Sequence, residues 1–424
     1  MPTSSMPNAG KDPLCPKFKK LKEEERASKA RPLLGSKEAG KRVVGNGKRV
    51  ANFCAGPAAV SDQVMLNLQH ELLSYESSGM GLIEHSHRDV GGPVQTCMQN
   101  VCDLLREVLD IPDNYHVLLM QGGAHGQFAA LPLNLLGNKK KAAYVDGGFW
   151  SHRSAGEAKK YCEVEMIEPF TKNKDGKLVY PEPSSWKIDP EWAYIHICAN
   201  ETINGLEFIK DPAVGTVDVP LVGDFTSTLL SRPVDVSKYG VIYASGGKNL
   251  GPSGHIVVIV NDALLGRELP ICPSILSYSK AANTQPIPNL WYTPNVFACR
   301  ALNFVLNEVS HSGGIQTCKA NTNRKAYKIY KEVDLSDGFY VNNVAAEYRS
   351  QVTIPFNIFD KSGKSRPDLE KLFCKEAEKC NLHQLAGHHT CGGLRVCIYN
   401  SVPDCAVDIF VEFMEMFRKK YANK

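Results

Sequence analysis

No stretch of this chain approaches the run of about eighteen apolar residues that a membrane helix needs, so no membrane span is expected. No C-x-x-C pair occurs among its 14 cysteines, and no signal-peptide pattern is visible. Cysteines scattered in this way, several in apolar runs as Cys198 and Cys397 are, behave as small hydrophobes. A reducing cytosol suits them better than a disulfide framework. No H-E-x-x-H and no zinc-type Cys/His spacing accompanies His85, His87, His388 and His389, so no metal is expected. Internal repeats are missing as well, which excludes a repeat architecture.

Nor does one sign of charge dominate the body of the protein. Thirteen of the 49 Lys/Arg and five of the 45 Asp/Glu lie in the first fifty positions, which leaves 36 basic against 40 acidic residues in the remainder. The basic excess therefore belongs to residues 1–48, a Lys-, Ser-, Pro- and Gly-rich stretch without apolar periodicity, expected to be a disordered extension. Glu23-Glu24-Glu25 in its middle argues against a transit peptide, and a cytoplasmic location is expected, with organellar targeting by the extension left open. A solvated charge run explains the extension better than a nucleic-acid or membrane partner. At 424 residues, 43% apolar and 22% charged, the chain suits a globular protein of two domains.

Apolar runs and helical stripes alternate from residue 94 onward. Val94 to Leu109 carries a helical stripe, and Ser61 is placed to cap an earlier helix. Strands are expected at 116–120, 142–145, 164–167, 194–198, 219–223, 241–244 and 256–260. Helices are expected from Gly122-Gly123 to about Leu136 and from Ser151 to Tyr161. This alternation predicts an α/β domain with a mainly parallel sheet covered on both faces, over residues 49–310. Long helices to Val309 and from Ile315 to Val333 follow. Residues 311–424 then read as a smaller α+β domain with strands at 352–359 and 394–399, a helix from Pro367 to Cys380, and a last helix capped by Asp404.

In such a sheet, ligands collect beyond the carboxyl ends of the strands. The turn Gln121-Gly122-Gly123-Ala124-His125-Gly126 opens a helix whose first N–H groups suit an anion. It lacks the spacing of a dinucleotide fingerprint or a P-loop, and its glycines could equally serve tight packing. Trp150, Thr202, Asp224 and Lys248 follow four further strand ends. Taken singly they have plain alternatives: a core Trp, a helix-capping Asp, a surface Lys. Together they offer a stacking ring, a hydroxyl, a carboxylate and an imine-forming amine, which are the parts a pyridoxal phosphate site needs.

Long stretches then resemble the phosphoserine aminotransferases, class-V members of the fold-type-I pyridoxal-phosphate enzymes. They are IEHSHR at 83–88, GQFAALPLNLLG at 126–137, CANETINGLEF at 198–208, LSRPVDVSKYGVIYA at 230–244, KNLGP at 248–252 and GHHTCGGLRVCIYN at 387–400. The resemblance runs from about Asn52 to near the end and implies an aspartate-aminotransferase-like fold. It implies Lys248 as the covalent anchor, Asp224 for the pyridinium nitrogen, Trp150 as the stacking ring, Thr202 for the ring hydroxyl, and the Ala124/His125 backbone for the phosphate. Thr293 would reach the cofactor phosphate of a neighbouring subunit, which implies a homodimer with shared sites. His87, Arg88, His388 and Arg395 would hold the carboxylate and phosphate of the substrates, as Arg forks suit both groups.

Three positions depart from the family pattern. Gly247 stands where a phosphate-binding Gln is usual, Tyr292 where an Asn is usual, and His389 where an Arg is usual. The first two belong to the cofactor's surroundings and the third to the substrate's. An imidazole is largely neutral near pH 7 unless a substrate phosphate raises its pKa. The implied activity is transfer of an amino group from L-glutamate to 3-phosphohydroxypyruvate. The alternatives are a transaminase of altered substrate choice and a weakly active cofactor-binding relative with a regulatory role.

Overall fold

The computed structural model describes residues 49–167, 171–180, 182–216 and 218–423, so the expected disordered extension lies outside the described residues. The chain opens with β1 (Ala51–Asn52) and α1 (Asp62–Glu71), the latter capped by Ser61, whose hydroxyl accepts from Val64 N at 3.1 Å. Next comes α2 (Pro93–Leu109), started by proline at its first turn and ended by Asp110 at φ 51°. Its stripe of Val94, Met98, Val101, Leu105 and Val108 is buried.

The alternating part follows as β2 (Tyr115–Met120), α3 (Gly123–Leu135), β3 (Lys141–Val145), α4 (Phe149–Ala158) and β4 (Glu163–Ile167). A small hairpin, β5 (Thr171–Lys172) and β6 (Leu178–Val179), precedes β7 (Trp192–Cys198), β8 (Leu221–Asp224), β9 (Val241–Ser245) and β10 (Ile256–Asn261). A seven-stranded sheet runs β2-β10-β9-β8-β7-β3-β4. The pairings from β9 to β4 are parallel, while β10 runs antiparallel to both β9 and β2. Apart from its edge strand β4, the sheet is buried on both faces. Along β2, Val117 and Leu119 join the core under α2, and Leu118 and Met120 join the core under α3.

After α5 (Tyr278–Ala282), α6 (Val296–His311) is capped by the Asn295 side chain, which accepts from Ala298 N. Gly313 at φ 100° breaks the helix before α7 (Gly314–Asp334). Then come β11 (Tyr340–Val341), β12 (Thr353–Ile358), α8 (Pro367–Glu378), β13 (Leu382–His383), β14 (Leu394–Cys397) and α9 (Asp404–Tyr421). Ile329, Phe356, Phe373, Val396, Phe410 and Phe417 build a separate core here. The N-terminal strand contributes to this second core and not to the first: β1 pairs in parallel with β13, and Ala51 and Phe53 are buried beside Leu382. A two-residue strand cannot stand alone and takes the partner its neighbours leave unpaired. The last helix differs from expectation at its start. Pro403 occupies the cap position, and Asp404 is the first helical residue, its carboxylate held by Arg324 and Lys328.

Candidate active site

Gly122 and Gly123, at φ 91° and 60°, make the left-handed turn that joins β2 to α3. A Cβ on Gly123 would lie 3.2 Å from Ser245 Oγ at the end of β9. The turn therefore brings backbone, not side chain, toward the sheet's carboxyl edge, and the first N–H groups of α3 follow at Ala124 and His125. In the next βα unit Trp150 lies in the first turn of α4. Its indole Nε1 donates to Thr202 Oγ1 at 2.9 Å and its ring lies edge-on to His125, with centroids 6.0 Å apart. Asp224 ends β8, opposite Tyr243 of β9. The turn after β9 presents Lys248. A Cβ on Gly246 would strike Pro252 O and the His255 ring, and Gly247 has φ 94°.

These strand ends enclose a cavity of about 470 Å³ lined by Ala124, His125, Trp150, Thr202, Asp224, Gly247 and Lys248, with His388 and Arg395 also on its wall. Burial raises the Asp224 pKa above the ordinary carboxylate range. Hydrogen bonds from Thr226 and the nearby Lys248 and Tyr243 oppose the rise, and the Thr226 N–H donates to Oδ1 at 2.9 Å. Burial lowers the Lys248 pKa, with Asp224 and the thiols of Cys198 and Cys397 pulling back and Arg395 adding to the fall. Arg395 Nη1 donates to the Thr202 carbonyl at 2.9 Å. Burial, His389 and Arg395 together lower the His388 pKa, and its ring rests 5.3 Å from Phe149.

Other expected residues stand elsewhere. Tyr292 is half-buried behind the cradle, where its hydroxyl interacts with Gln121, and burial pushes its pKa up to about 12. Thr293 and Arg88 are exposed, His87 is half-buried, and none of the three lines the cavity of its own chain. His389 is exposed and lies tilted against His388 with ring centroids 4.1 Å apart, also outside the lining.

Sequence reasoning missed several lining groups: Asn200, Thr226, Ser227, Ser245 and Ser253, and the segment Ala55–Pro57. Thr226 and Ser227 come two and three positions after Asp224, so looking further past each strand end would have found them. The Ala55–Pro57 segment carries no such signal. It arrives because Ala58 N donates to Gly247 O at 2.8 Å, which brings a Cβ on Gly56 to within 3.6 Å of Lys248 Cε.

The donor set fits pyridoxal phosphate. A buried carboxylate and an amine of lowered basicity face one cavity of suitable size, and the glycine turn leaves room at the helix start for a phosphate. Among the described residues no group of His, Cys, Asp and Glu is arranged to hold a metal ion.

Comparison with known proteins agrees. Residues 50–410 match the family described as aminotransferase class-V. The phosphoserine aminotransferase of Acinetobacter baylyi is 41% identical over 373 residues, covering 88% of this chain and 99% of the relative. That of Herminiimonas arsenicoxydans is 40% identical over 378 residues, with the same coverage. Among solved structures, phosphoserine aminotransferase from Bacillus circulans subsp. alkalophilus superimposes with a TM-score of 0.81 at 35% identity, covering 88% of this chain and 99% of that one. The pyridoxal-phosphate-bound enzyme from Trichomonas vaginalis gives 0.79 at 32% identity, covering 87% and 100%.

Proposed function

This chain belongs to the class-V aminotransferase family, and from that premise we propose that it is the phosphoserine aminotransferase of serine biosynthesis. It takes the amino group of L-glutamate and gives it to 3-phosphohydroxypyruvate, forming 2-oxoglutarate and O-phospho-L-serine. The observation that carries the reading is the single cavity in which Lys248, Asp224, Trp150 and the first turn of α3 meet His388 and Arg395.

Bound pyridoxal phosphate supplies the electron sink that lets an amino group leave one carbon and join another. Lys248 is the residue that would hold it covalently, and its amine, a larger share of which burial leaves neutral, would serve as the base at the substrate carbon. Asp224 would keep a ring nitrogen protonated, Trp150 and Thr202 would orient the ring, and the Ala124/His125 backbone would take the phosphate. Gly247 and Tyr292 stand beside and behind that cradle. Arg395 and His388 receive the substrate's anionic ends, with His389 beside them.

Thr293, His87 and Arg88 serve the site of a second copy in a homodimer. Support for this is that Thr293 and Arg88 are exposed outside their own cavity. Five large apolar side chains between residues 72 and 90 (Leu72, Leu73, Met80, Ile83 and Val90) are also exposed. The cytoplasm is the compartment, in keeping with cysteines such as Cys97, Cys198, Cys299 and Cys397 that are buried as small apolar side chains.

The test is the visible spectrum of the purified protein. The covalent band should appear with pyridoxal phosphate, disappear with L-glutamate, and return with 3-phosphohydroxypyruvate. Equal rates with unphosphorylated three-carbon acids would sink the phosphate-specific reading. His389→Arg should then lower KM for the phosphorylated acceptor by about tenfold and leave unphosphorylated analogues unchanged, since a hydrogen bond to charge contributes about 1.5–3 kcal/mol.

A further inference from the structure

Gly148, at the cap position of α4, has φ 142° and no side chain to accept from the N–H groups of the first turn, while Ser151 Oγ reaches back to accept from Gly147 N and Gly148 N at 2.9 Å each. The acceptor for that turn comes instead from the loop after β7. Glu201 is buried and takes the N–H of Trp150 at 3.0 Å on Oε2 and that of Ser151 at 2.7 Å on Oε1. The same loop grips the same turn twice more. Thr202 Oγ1 accepts from the Trp150 indole at 2.9 Å, and Asn204 Nδ2 donates to Gly147 O at 2.7 Å. The approach is close, since a Cβ on Gly148 would lie 2.6 Å from Asn204 Nδ2 and 3.4 Å from Glu201 Oε2. A carboxylate that spans two N–H groups at a helix start is charge-assisted and favoured by the helix dipole.

We propose that Glu201 is a positioning residue for the stacking ring. Its ionised carboxylate holds the first turn of α4 so that the Trp150 indole is set over the cofactor position. Thr202, the next residue, carries the grip on to Arg395 through its carbonyl. The inference rests on the pyridoxal-phosphate reading of the cavity.

Burial pushes the Glu201 carboxyl up to about 7 against the pull of the Ser151 and Trp150 N–H groups, and Asp224 adds to the rise. Tyr180, before β7, and Cys198, at the end of β7, also face it. The sign follows directly. Above neutral pH both oxygens accept. As pH falls through that value the acid places an O–H donor against one of the two N–H donors, and the grip weakens.

The test titrates pyridoxal phosphate into the apo full-length chain by absorbance, for wild type, Glu201→Gln, Trp150→Phe and the double variant. Gln offers one acceptor and turns an amide N–H toward the second donor, so Glu201→Gln should bind about tenfold more weakly. The double variant should bind no more weakly than Trp150→Phe, because Glu201 acts through that ring. Unchanged affinity in Glu201→Gln, or fold-changes that multiply in the double variant, overturn the proposal and leave cofactor binding by the wild type intact. Failure of the wild type to bind overturns the functional reading and this inference with it.

Should Glu201→Gln not fold, the ratio of wild-type to Trp150→Phe affinity carries the test. Effects of Lys248, Asp224 and the ligand's own titration divide out of that ratio. It should approach one as pH falls through neutrality, and a ratio independent of pH overturns the proposal.

Discussion

Asp224 is buried and Lys248 half-buried on one cavity, where burial raises the pKa of the carboxyl and lowers that of the amine. A covalent link is made by the neutral amine, and the lowered pKa leaves a larger share of Lys248 neutral than of an ordinary lysine at the same pH. Labelling of Lys248 in the apo chain by an amine-reactive reagent should titrate with a midpoint below about 10.4. Lys248→Ala should cost at least about 10²–10⁴-fold in transamination, read in single-turnover assays with glutamate. The apo chain should stay folded, because the change removes a group that burial disfavours in its charged form.

Gly247 illustrates a different point. Read as sequence it is a missing phosphate contact, whereas its φ of 94° makes glycine the residue this backbone suits. A Cβ there would have room, its nearest neighbour being Ser253 Cβ at 3.6 Å, but not the conformation. Gly247→Gln should therefore destabilise the apo chain by about 1–2 kcal/mol in urea unfolding. An unchanged midpoint would mean that the turn relaxes.

At the scale of elements, parallel strands whose ends lie at one edge place consecutive βα turns side by side. The β8–β9 register sets Asp224 opposite Tyr243, so the carboxylate and the turn bearing Lys248 leave the sheet as neighbours. The alternation behind this was legible, because strands buried on both faces read as short apolar runs. The reversed direction of β10 was not, since direction leaves no mark on composition. The start of α9 was misjudged for a related reason. An Asp beside a Pro has the chemistry of a cap, but here its carboxylate turns to α7, with Arg324 Nε at 2.9 Å and Lys328 Nζ at 3.1 Å. Burial works against that charge and the two cations more than offset it, so the Asp404 pKa lies below the usual value. A depressed carboxylate pKa contributes stability above the unfolded value, lost as pH falls through the folded one. Asp404→Asn should cost about 1–2 kcal/mol at neutral pH, and the gap from wild type should close on acidification, as measured by denaturant unfolding.

On the scale of the whole molecule, residues distant in the chain meet on one wall of the cavity. Arg395 of β14 and His388 belong to the C-terminal unit and meet the sheet's strand ends there. The N-terminal strand is built into that unit as well, which carries Gly56 against the lysine turn. In the proposed homodimer, Leu73, at 82% of its full exposure, is a side chain that a second copy would cover. Leu73→Asp should shift sedimentation toward the monomer and lower activity, with recovery at high protein concentration. A wild type that sediments as a monomer under assay conditions would remove the shared-site reading.

The sequence by itself determined what is chemical or periodic: the α/β alternation, the glycine turn before α3, and the four side chains Trp150, Thr202, Asp224 and Lys248 at strand ends. It did so because strand ends are where both periodicity and ligand chemistry leave local marks. Tertiary structure decided what depends on groups far apart in the chain. It set Glu201 beneath Trp150, carried Ala55–Pro57 to the lysine, and left Thr293 and Arg88 on the surface. It also gave Gly247 a left-handed backbone. Those outcomes come from register, packing and the search of buried polar groups for partners, none of which a linear pattern contains.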